Sequence, residues 1–182
     1  MGNNGSNGSN GSLKLDIGCG LRKREGFIGI DLSNDVGADV VMDIETQPLP
    51  FNDSTIDEIY CAHTVEHLHG LIPFMNECYR VLKPSAEMTI LAPYYTAIQA
   101  SQDPTHVRYI NERTFLYFTD EYSGNGATFE YGIKSKFNIV STEFTYINMW
   151  SKPWLPGRVR IWARHHLFNV ATDITVKMEA LK

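Results

Sequence analysis

The sequence lacks any apolar run close to the roughly 20 residues that a membrane-spanning helix needs. Its N-terminus also lacks the charged and then apolar layout of a signal peptide. We therefore expect a cytoplasmic protein with no membrane partner. A chain of 182 residues suffices for one domain around one hydrophobic core, and a second domain is not expected.

Cysteine is scarce, and Cys19, Cys61 and Cys78 show no CxxC-type spacing. Each lies in an apolar stretch, which predicts reduced, buried thiols. Positive charge is scarce as well, because 16 lysines and arginines against 21 acidic residues leave a net charge of −5. Such a chain has no overall field that would hold a polyanion, so nucleic acid is not the expected partner.

The first twelve residues, MGNNGSNGSNGS, are a Gly/Asn/Ser repeat without a side chain able to pack. This composition is typical of a flexible linker. We therefore predict that residues 1–12 form a flexible tail and that residues 13–182 form the folded domain.

Short apolar runs bounded by turn residues follow the tail, at residues 13–19, 27–32, 38–44, 56–62 and 88–94. Continuous apolar runs are typical of strands covered on both faces, as in a parallel sheet. Between the last two runs, apolar residues at three- and four-residue spacing predict an amphipathic helix. They are Leu71, Phe74, Met75, Cys78, Val81 and Leu82. This alternation predicts an α/β fold with its ligand crevice beyond the carboxyl ends of the strands.

The C-terminal third has a different pattern. Residues 136–149 and 173–181 are predicted to be two long strands, paired antiparallel at one edge of the sheet. Residues 111–118 and 159–170 are predicted to be helical. The second helix carries an apolar stripe of Val159, Trp162, Ala163, His166, Leu167 and Val170.

Two glycines follow the first predicted strand in DIGCG, residues 16–20, and Asp31 ends the second strand in FIGID. Glycines let a ligand approach the backbone closely, and a carboxylate at that strand end can accept hydrogen bonds from both hydroxyls of a ribose. The pattern predicts a nucleoside site. The third glycine of the dinucleotide fingerprint is absent, which argues against a pyrophosphate-bearing cofactor.

Six motifs occur in order between about Leu13 and Tyr95: DIGCG, GIDLS, Asp43, PLPFNDSTIDEIY, HTVEHL and NECYRVLKP. Together they resemble the class I S-adenosylmethionine-dependent methyltransferases, and in particular the small type 11 group. The resemblance implies a Rossmann-like, mostly parallel sheet, S-adenosylmethionine as cofactor and a small-molecule acceptor. It also implies the cofactor-binding residues: Asp16, Gly18 and Gly20 for the methionine moiety, Asp31 with Leu32 for the ribose, Asp43 and Ile44 for the adenine, and Ala62 and His63 beside the sulfonium.

Three features depart from that family's pattern. Only residues 20–27 separate the first two strands, so the first helix must be cut to a turn or two. Lys83-Pro84-Ser85-Ala86 stands where the family has KPGG, which removes the residues that adopt positive φ easily. The helices that precede the first strand in the family, and often cover the cofactor, are replaced by the tail.

Two alternative functions stay open at the level of the sequence. Residues 63–67, HTVEH, satisfy HxxEH, in which two histidines bind zinc and the glutamate activates water in a hydrolase. That chemistry needs the motif inside a helix, whereas here it directly follows an apolar strand. We therefore expect no stoichiometric zinc and no other metal. The second alternative is a catalytically inactive member of the fold that only binds a nucleoside.

Methyl transfer needs a general base only when the acceptor must lose a proton. His106 in DPTHVR and His67 are the main candidates, with His63 as a third, because imidazole titrates near neutral pH. Tyr94 and Tyr95, at the end of the fifth strand, are candidates for shaping the acceptor pocket.

Positive charge is concentrated near the C-terminus, at Arg158, Arg160, Arg164, His165 and His166. Arg160 and Arg164 lie one helical turn apart and opposite the apolar stripe, so they are expected to project together. Two guanidinium groups could bind a carboxylate or a phosphate, which predicts an anionic acceptor. The alternative is a solvated helix face.

Overall fold

A computed structural model describes residues 11–123 and 131–182, and these form one mixed sheet with helices on its faces. The strands are β1 (Lys14–Ile17), β2 (Ile28–Asp31), β3 (Val40–Val41), β4 (Ile56–Ala62), β5 (Leu82–Pro93), β6 (Phe137–Tyr146) and β7 (Ala171–Ala180). The α-helices are α1 (Leu71–Val81), α2 (Gln99–Gln102), α3 (Asp120–Ser123) and α4 (Gly157–His166). Of the predicted tail, residues 1–10 lie outside the described residues.

The strand order in the described sheet is β3-β2-β1-β4-β5-β7-β6. Strands β1 to β5 run parallel to their neighbours, whereas β7 pairs antiparallel with both β5 and β6. This confirms the predicted α/β fold with an antiparallel C-terminal edge. The order reverses between β1 and β4, and ligands of open α/β sheets bind at such a reversal.

The core lies where the apolar runs predicted it. Leu15 and Ile17 of β1 and Ile59 and Cys61 of β4 have no exposed surface, because helices and loops cover both faces of the central strands. The helix α1 buries the predicted stripe of Leu71, Phe74, Met75, Cys78 and Val81 against them. All three cysteines are buried and free, as predicted.

Two of the departures from the family pattern are visible in the structure: the short β1–β2 link and the segment Lys83-Pro84-Ser85-Ala86. The link from β1 to β2 contains only a three-residue 3-10 turn, Gly20–Arg22, in place of a crossover helix. Within the first residues of β5, Ser85 has a φ of 59°. A serine thus takes the left-handed backbone conformation for which glycine is better suited.

The predicted orientation of α4 is correct only in part, because Ala163 of the predicted apolar stripe is buried whereas other members of the stripe are exposed. Three members of the predicted apolar stripe keep between 39 and 55% of their surface exposed: Val159, Trp162 and Leu167. Arg164, predicted to face solvent, is only 8% exposed and points to the sheet. The reason is a contact that helical periodicity does not encode: the Arg164 guanidinium lies 3.6 Å from the centre of the Phe144 ring on β6.

Other boundaries also differ from the predictions. The third apolar run forms only the two residues of β3, and the predicted helix at 111–118 is a 3-10 turn at Thr114–Phe118. The helix predicted at 159–170 begins at Gly157 and ends at His166. None of the helices in the described part of the chain is long and apolar enough to cross a membrane.

Candidate functional site

The turn after β1 brings the backbone close to the segment that follows β4. Gly18 has a φ of 69°, and its N–H donates a 2.8 Å hydrogen bond to the carbonyl of Ile30 in β2. A Cβ atom at Gly18 would lie 2.0 Å from the hydroxyl oxygen of Thr64. Glycine is therefore required here both by the backbone conformation and by the close approach of Thr64.

Asp31 ends β2 beside this turn. Its Oδ2 accepts a 2.9 Å hydrogen bond from the backbone N–H of Gly20, and its Oδ1 accepts one of 3.0 Å from that of Ser33. A carboxylate has about four acceptor positions, so hydrogen-bonding capacity remains for a ligand. The Asp31 side chain is thereby fixed at the carboxyl end of its strand.

These residues line a cleft of about 440 Å³ at the carboxyl ends of β1, β2 and β4, within the usual size range of small-molecule sites. Seven of the predicted cofactor-binding residues line it: Gly18, Gly20, Asp31, Leu32, Asp43, Ile44 and His63. Sequence reasoning missed Ile30, Met42, Glu45, Thr64 and Leu68. Of these, Ile30, Thr64 and Leu68 lie within motifs that the sequence analysis quoted, whereas Met42 and Glu45 do not.

Two predicted cofactor residues, Asp16 and Ala62, do not line this cleft. Asp16 is 3% exposed, and its carboxylate accepts a 2.8 Å hydrogen bond from the backbone N–H of Arg24. Burial raises the pKa of Asp16, against the opposing effect of Arg24. The Asp16 side chain thus supports the β1–β2 connection, and its contact with the methionine moiety stays a prediction.

The HTVEH motif forms a turn after β4 and lies on no helix, as expected. His63 has a φ of 51° and a half-exposed ring, with its Nδ1 3.4 Å from Oε1 of Glu66 and its Nε2 3.8 Å from Oδ1 of Asp173. The contact with Glu66 raises the pKa of His63 despite partial burial. The helical geometry of the zinc hydrolase motif is therefore absent from residues 63–67, all of which are described.

The two histidines predicted to act on the acceptor lie together. The rings of His67 and His106 meet edge to face, with their centres 4.7 Å apart. His67 lines the cleft, and His106 lies behind it with only 9% of its side chain exposed. The backbone N–H of Val107 donates a 2.9 Å hydrogen bond to the carbonyl of Glu66, which attaches the loop after α2 to the HTVEH turn.

The two tyrosines at the end of β5 differ in position. Tyr94 has no exposed surface, and its hydroxyl donates a 2.9 Å hydrogen bond to Oε2 of Glu112. Burial, reinforced by Glu112, raises the pKa of Tyr94. This corrects its predicted contact with the acceptor, because a side chain without exposed surface touches no ligand. Tyr95 is partly buried and lines a second cleft of about 280 Å³ with Glu112 and His165.

The two arginines predicted to bind an anion are not equally free. Arg164 contacts Oε1 of Glu112 at 3.4 Å and the hydroxyl of Tyr146 at 3.1 Å. Its charge is thus already paired, which corrects the prediction for this residue. Arg160 is partly exposed, and its guanidinium lies 5.6 Å from the centre of the Tyr146 ring.

Comparison with known proteins matches the site to a family. Residues 15–90, which contain all the residues that line the 440 Å³ cleft, match the type 11 family model described as a methyltransferase domain. No curated protein is significantly similar to this chain in sequence.

Solved structures share the fold. A SAM-dependent methyltransferase from Archaeoglobus fulgidus is 20% identical, with a TM-score of 0.61 over 93% of this chain and 87% of that chain. One from Mesorhizobium loti is 18% identical, with a TM-score of 0.52 over 93% and 91%. Geranyl diphosphate C-methyltransferase from Streptomyces coelicolor, solved with Mg²⁺, geranyl diphosphate and S-adenosylhomocysteine, is 12% identical, with a TM-score of 0.53 over 94% and 74%.

Proposed function

Because residues 15–90 match a type 11 methyltransferase domain, we propose that this chain is a class I S-adenosylmethionine-dependent methyltransferase that transfers the methyl group directly to a small-molecule acceptor. The observation that carries the proposal is the cleft at the reversal of strand order, where Gly18, Gly20 and Asp31 meet. Its glycine turn leaves room for a ligand against the backbone. The net charge of −5 argues against a nucleic-acid acceptor.

The residues of the cleft fit the cofactor. A Cβ atom at Gly20 would meet nothing within 4 Å, so the space beside this turn is open. Asp31 retains acceptor positions for the two ribose hydroxyls, and Met42 and Ile44 offer apolar contact for an adenine ring. His63 and Thr64 line the same cleft after β4, where we place the sulfonium end.

When bound, S-adenosylmethionine supplies an electrophilic methyl group on a sulfonium sulfur, which leaves as the neutral thioether. The chain has to align the acceptor atom with that methyl group and exclude water from the reacting atoms. We assign the acceptor side to His67, which lines the cleft, and to His106 directly behind it. Arg160 remains a candidate for contacting an anionic group of the acceptor.

The test is a methylation screen with S-adenosylmethionine carrying a labelled methyl group and fractionated cell extract. The proposal expects label in fractions of low molecular mass, and expects it to disappear when the Asp31→Ala variant is used. Label that enters only protein or nucleic acid contradicts the small-molecule acceptor.

A cytoplasmic location is part of the same proposal. Its support is the three free and buried thiols, which are typical of a reducing compartment. Fractionation of the source cells with detection by antibody tests it, and recovery with secreted or membrane material contradicts it.

A further inference from the structure

Three metal-ligating side chains converge behind the cofactor cleft. One donor atom each of Glu66, His67 and His106 lies within 4.8 Å of the donor atoms of the other two. We propose that these three residues bind one divalent transition-metal ion, which positions the acceptor for methyl transfer. The role given to the ion rests on the proposed function, whereas the binding site itself does not.

The first observation is the state of the Glu66 carboxylate. The residue is 1% exposed, and neither of its carboxylate oxygens has a hydrogen-bond partner in the described part of the chain. His63 approaches to 3.4 Å, but its ring is half exposed. A buried carboxylate is costly unless it is paired or coordinates a metal. His63 lies near Oε1 alone, so Oε2 of Glu66 lacks the partner that a bound cation would supply.

The second observation is the orientation of His67. Its Nδ1 lies 3.0 Å from the hydroxyl oxygen of Thr105, and that hydroxyl donates its own hydrogen to Oδ1 of Asp103 over 2.6 Å. The hydroxyl oxygen can therefore only accept from His67, which places the ring hydrogen on Nδ1. The Nε2 lone pair of the neutral ring is left free for a ligand.

The His106 ring also carries its hydrogen on Nδ1, but here the hydrogen-bond acceptor is a backbone carbonyl. Its Nδ1 lies 3.2 Å from the carbonyl oxygen of Ala100, which can only accept, so this ring also carries its hydrogen on Nδ1. Its Nε2 is 3.9 Å from Oδ2 of Asp103. Metal-binding histidines characteristically donate their second ring N–H to a carbonyl or to a group held by a carboxylate, and both rings show that arrangement.

Backbone and side-chain contacts fix the spacing of the three ligands. The hydrogen bond from the Val107 N–H to the Glu66 carbonyl joins the two segments that carry them. Arg108 adds a 2.9 Å hydrogen bond from Nε to the carbonyl of Leu68. The ligands are thus held before any ion binds, which lowers the ordering cost of binding.

The donor set indicates the kind of metal. Two imidazole nitrogens and one carboxylate oxygen suit first-row divalent ions such as zinc, iron, cobalt or manganese, and three protein ligands leave coordination positions open. The sequence expectation of no metal rested on the absence of a helix around HTVEH. The fold supplies the third ligand from His106 on a different segment, which the motif alone does not show.

The position beside the cleft gives the ion a role in the reaction. His67 lines the cofactor cleft, whereas Glu66 and His106 do not. An acceptor hydroxyl bound to the ion releases its proton to solvent, and the oxygen lone pair then forms a bond to the methyl carbon as the carbon–sulfur bond breaks. The two histidines act in this scheme as ligands rather than as general bases, and the acceptor is one with a metal-binding oxygen.

The experiment is a titration of the untagged, chelator-stripped full chain with Co²⁺, followed by visible absorption and calorimetry. We expect one ion per chain, at least tenfold weaker binding in Glu66→Gln, His67→Ala and His106→Ala, and weaker binding in Thr105→Val through loss of the supporting hydrogen bond. The matched control is His69→Ala, whose exposed ring contacts Glu45 outside the cluster, and it should bind Co²⁺ like the wild type.

The same samples are titrated with S-adenosylhomocysteine to separate the two proposals. Glu66→Gln and His106→Ala should retain its binding, because neither side chain lines the cleft, and retention also shows that they fold. Two results overturn the metal site while the proposed function stands. Either the wild type binds no Co²⁺, or Glu66→Gln, His67→Ala, His106→Ala and Thr105→Val all bind it as tightly as His69→Ala does. Failure of the wild type to bind S-adenosylhomocysteine overturns the proposed function instead. If Glu66→Gln does not fold, His106→Ala and the wild-type stoichiometry decide the result.

Discussion

The backbone N–H of Gly20 donates a 2.9 Å hydrogen bond to the carboxylate of Asp31, and this contact joins the glycine turn after β1 to the end of β2. It fixes the two parts of the cleft that we assign to the methionine and the ribose of the cofactor. Because the β1–β2 connection has no full helix, this hydrogen bond and that from Arg24 to Asp16 hold the turn in place.

Gly18→Ala should destabilise the protein more than Gly20→Ala does. Both positions have positive φ, which costs an alanine about 1–2 kcal/mol. Only at Gly18 would the new Cβ atom collide with Thr64, which adds about 1–3 kcal/mol of overpacking. Urea unfolding of the two variants measures the difference, and equal losses of stability contradict the close approach of Thr64.

Asp16→Asn should stabilise the protein at neutral pH. Burial raises the pKa of Asp16 in the folded state above its ordinary value of 3.8, so the folded state binds a proton more tightly than the unfolded state. Ionisation therefore lowers stability as pH rises through the interval above 3.8, and the variant removes this loss. Thermal melting from pH 3 to pH 8 tests it: the advantage of Asp16→Asn should vanish below the ordinary pKa, and an advantage independent of pH contradicts the account.

Arg164→Ala should lower the free energy of unfolding by about 1–3 kcal/mol, because it leaves Glu112 and Tyr146 without their charged partner. Arg158 is exposed on the same helix, and Arg158→Ala should stay within about 0.5 kcal/mol of the wild type. Chemical denaturation distinguishes the two. If Arg164→Ala is as stable as the wild type, the contacts assigned to Arg164 do not stabilise the fold and the account is contradicted.

The sequence predicted those parts of the fold that rest on local pattern. Continuous apolar runs located β1, β2 and β4, and three- and four-residue spacing located α1, because these elements bury the faces that their periodicity defines. The glycine turn and Asp31 followed from the conformational freedom of glycine and from the position of a carboxylate at a strand end.

The features that the sequence did not predict depend on contacts between distant segments. The orientation of α4 depends on the contacts of Arg164 with Phe144 and with Glu112, the latter 52 residues away in the chain, so helical periodicity alone did not show that Arg164 faces the sheet. The meeting of His106 with Glu66 depends on a loop attached by one backbone hydrogen bond. The motif DIGCG predicted that Asp16 faces the ligand, whereas its side chain is buried at the turn.

Calorimetric titration of Asp31→Asn with S-adenosylhomocysteine, beside the wild type, tests the assigned cofactor site most directly. Asparagine keeps the shape of Asp31 but removes the charge that accepts the ribose hydrogen bonds, so we expect a loss of about 1.5–3 kcal/mol, or roughly 10- to 150-fold in affinity. Asp35→Asn, an exposed position in the following turn, is the control and should bind like the wild type. Wild-type affinity in a folded Asp31→Asn variant would contradict the assignment of this cleft to the cofactor.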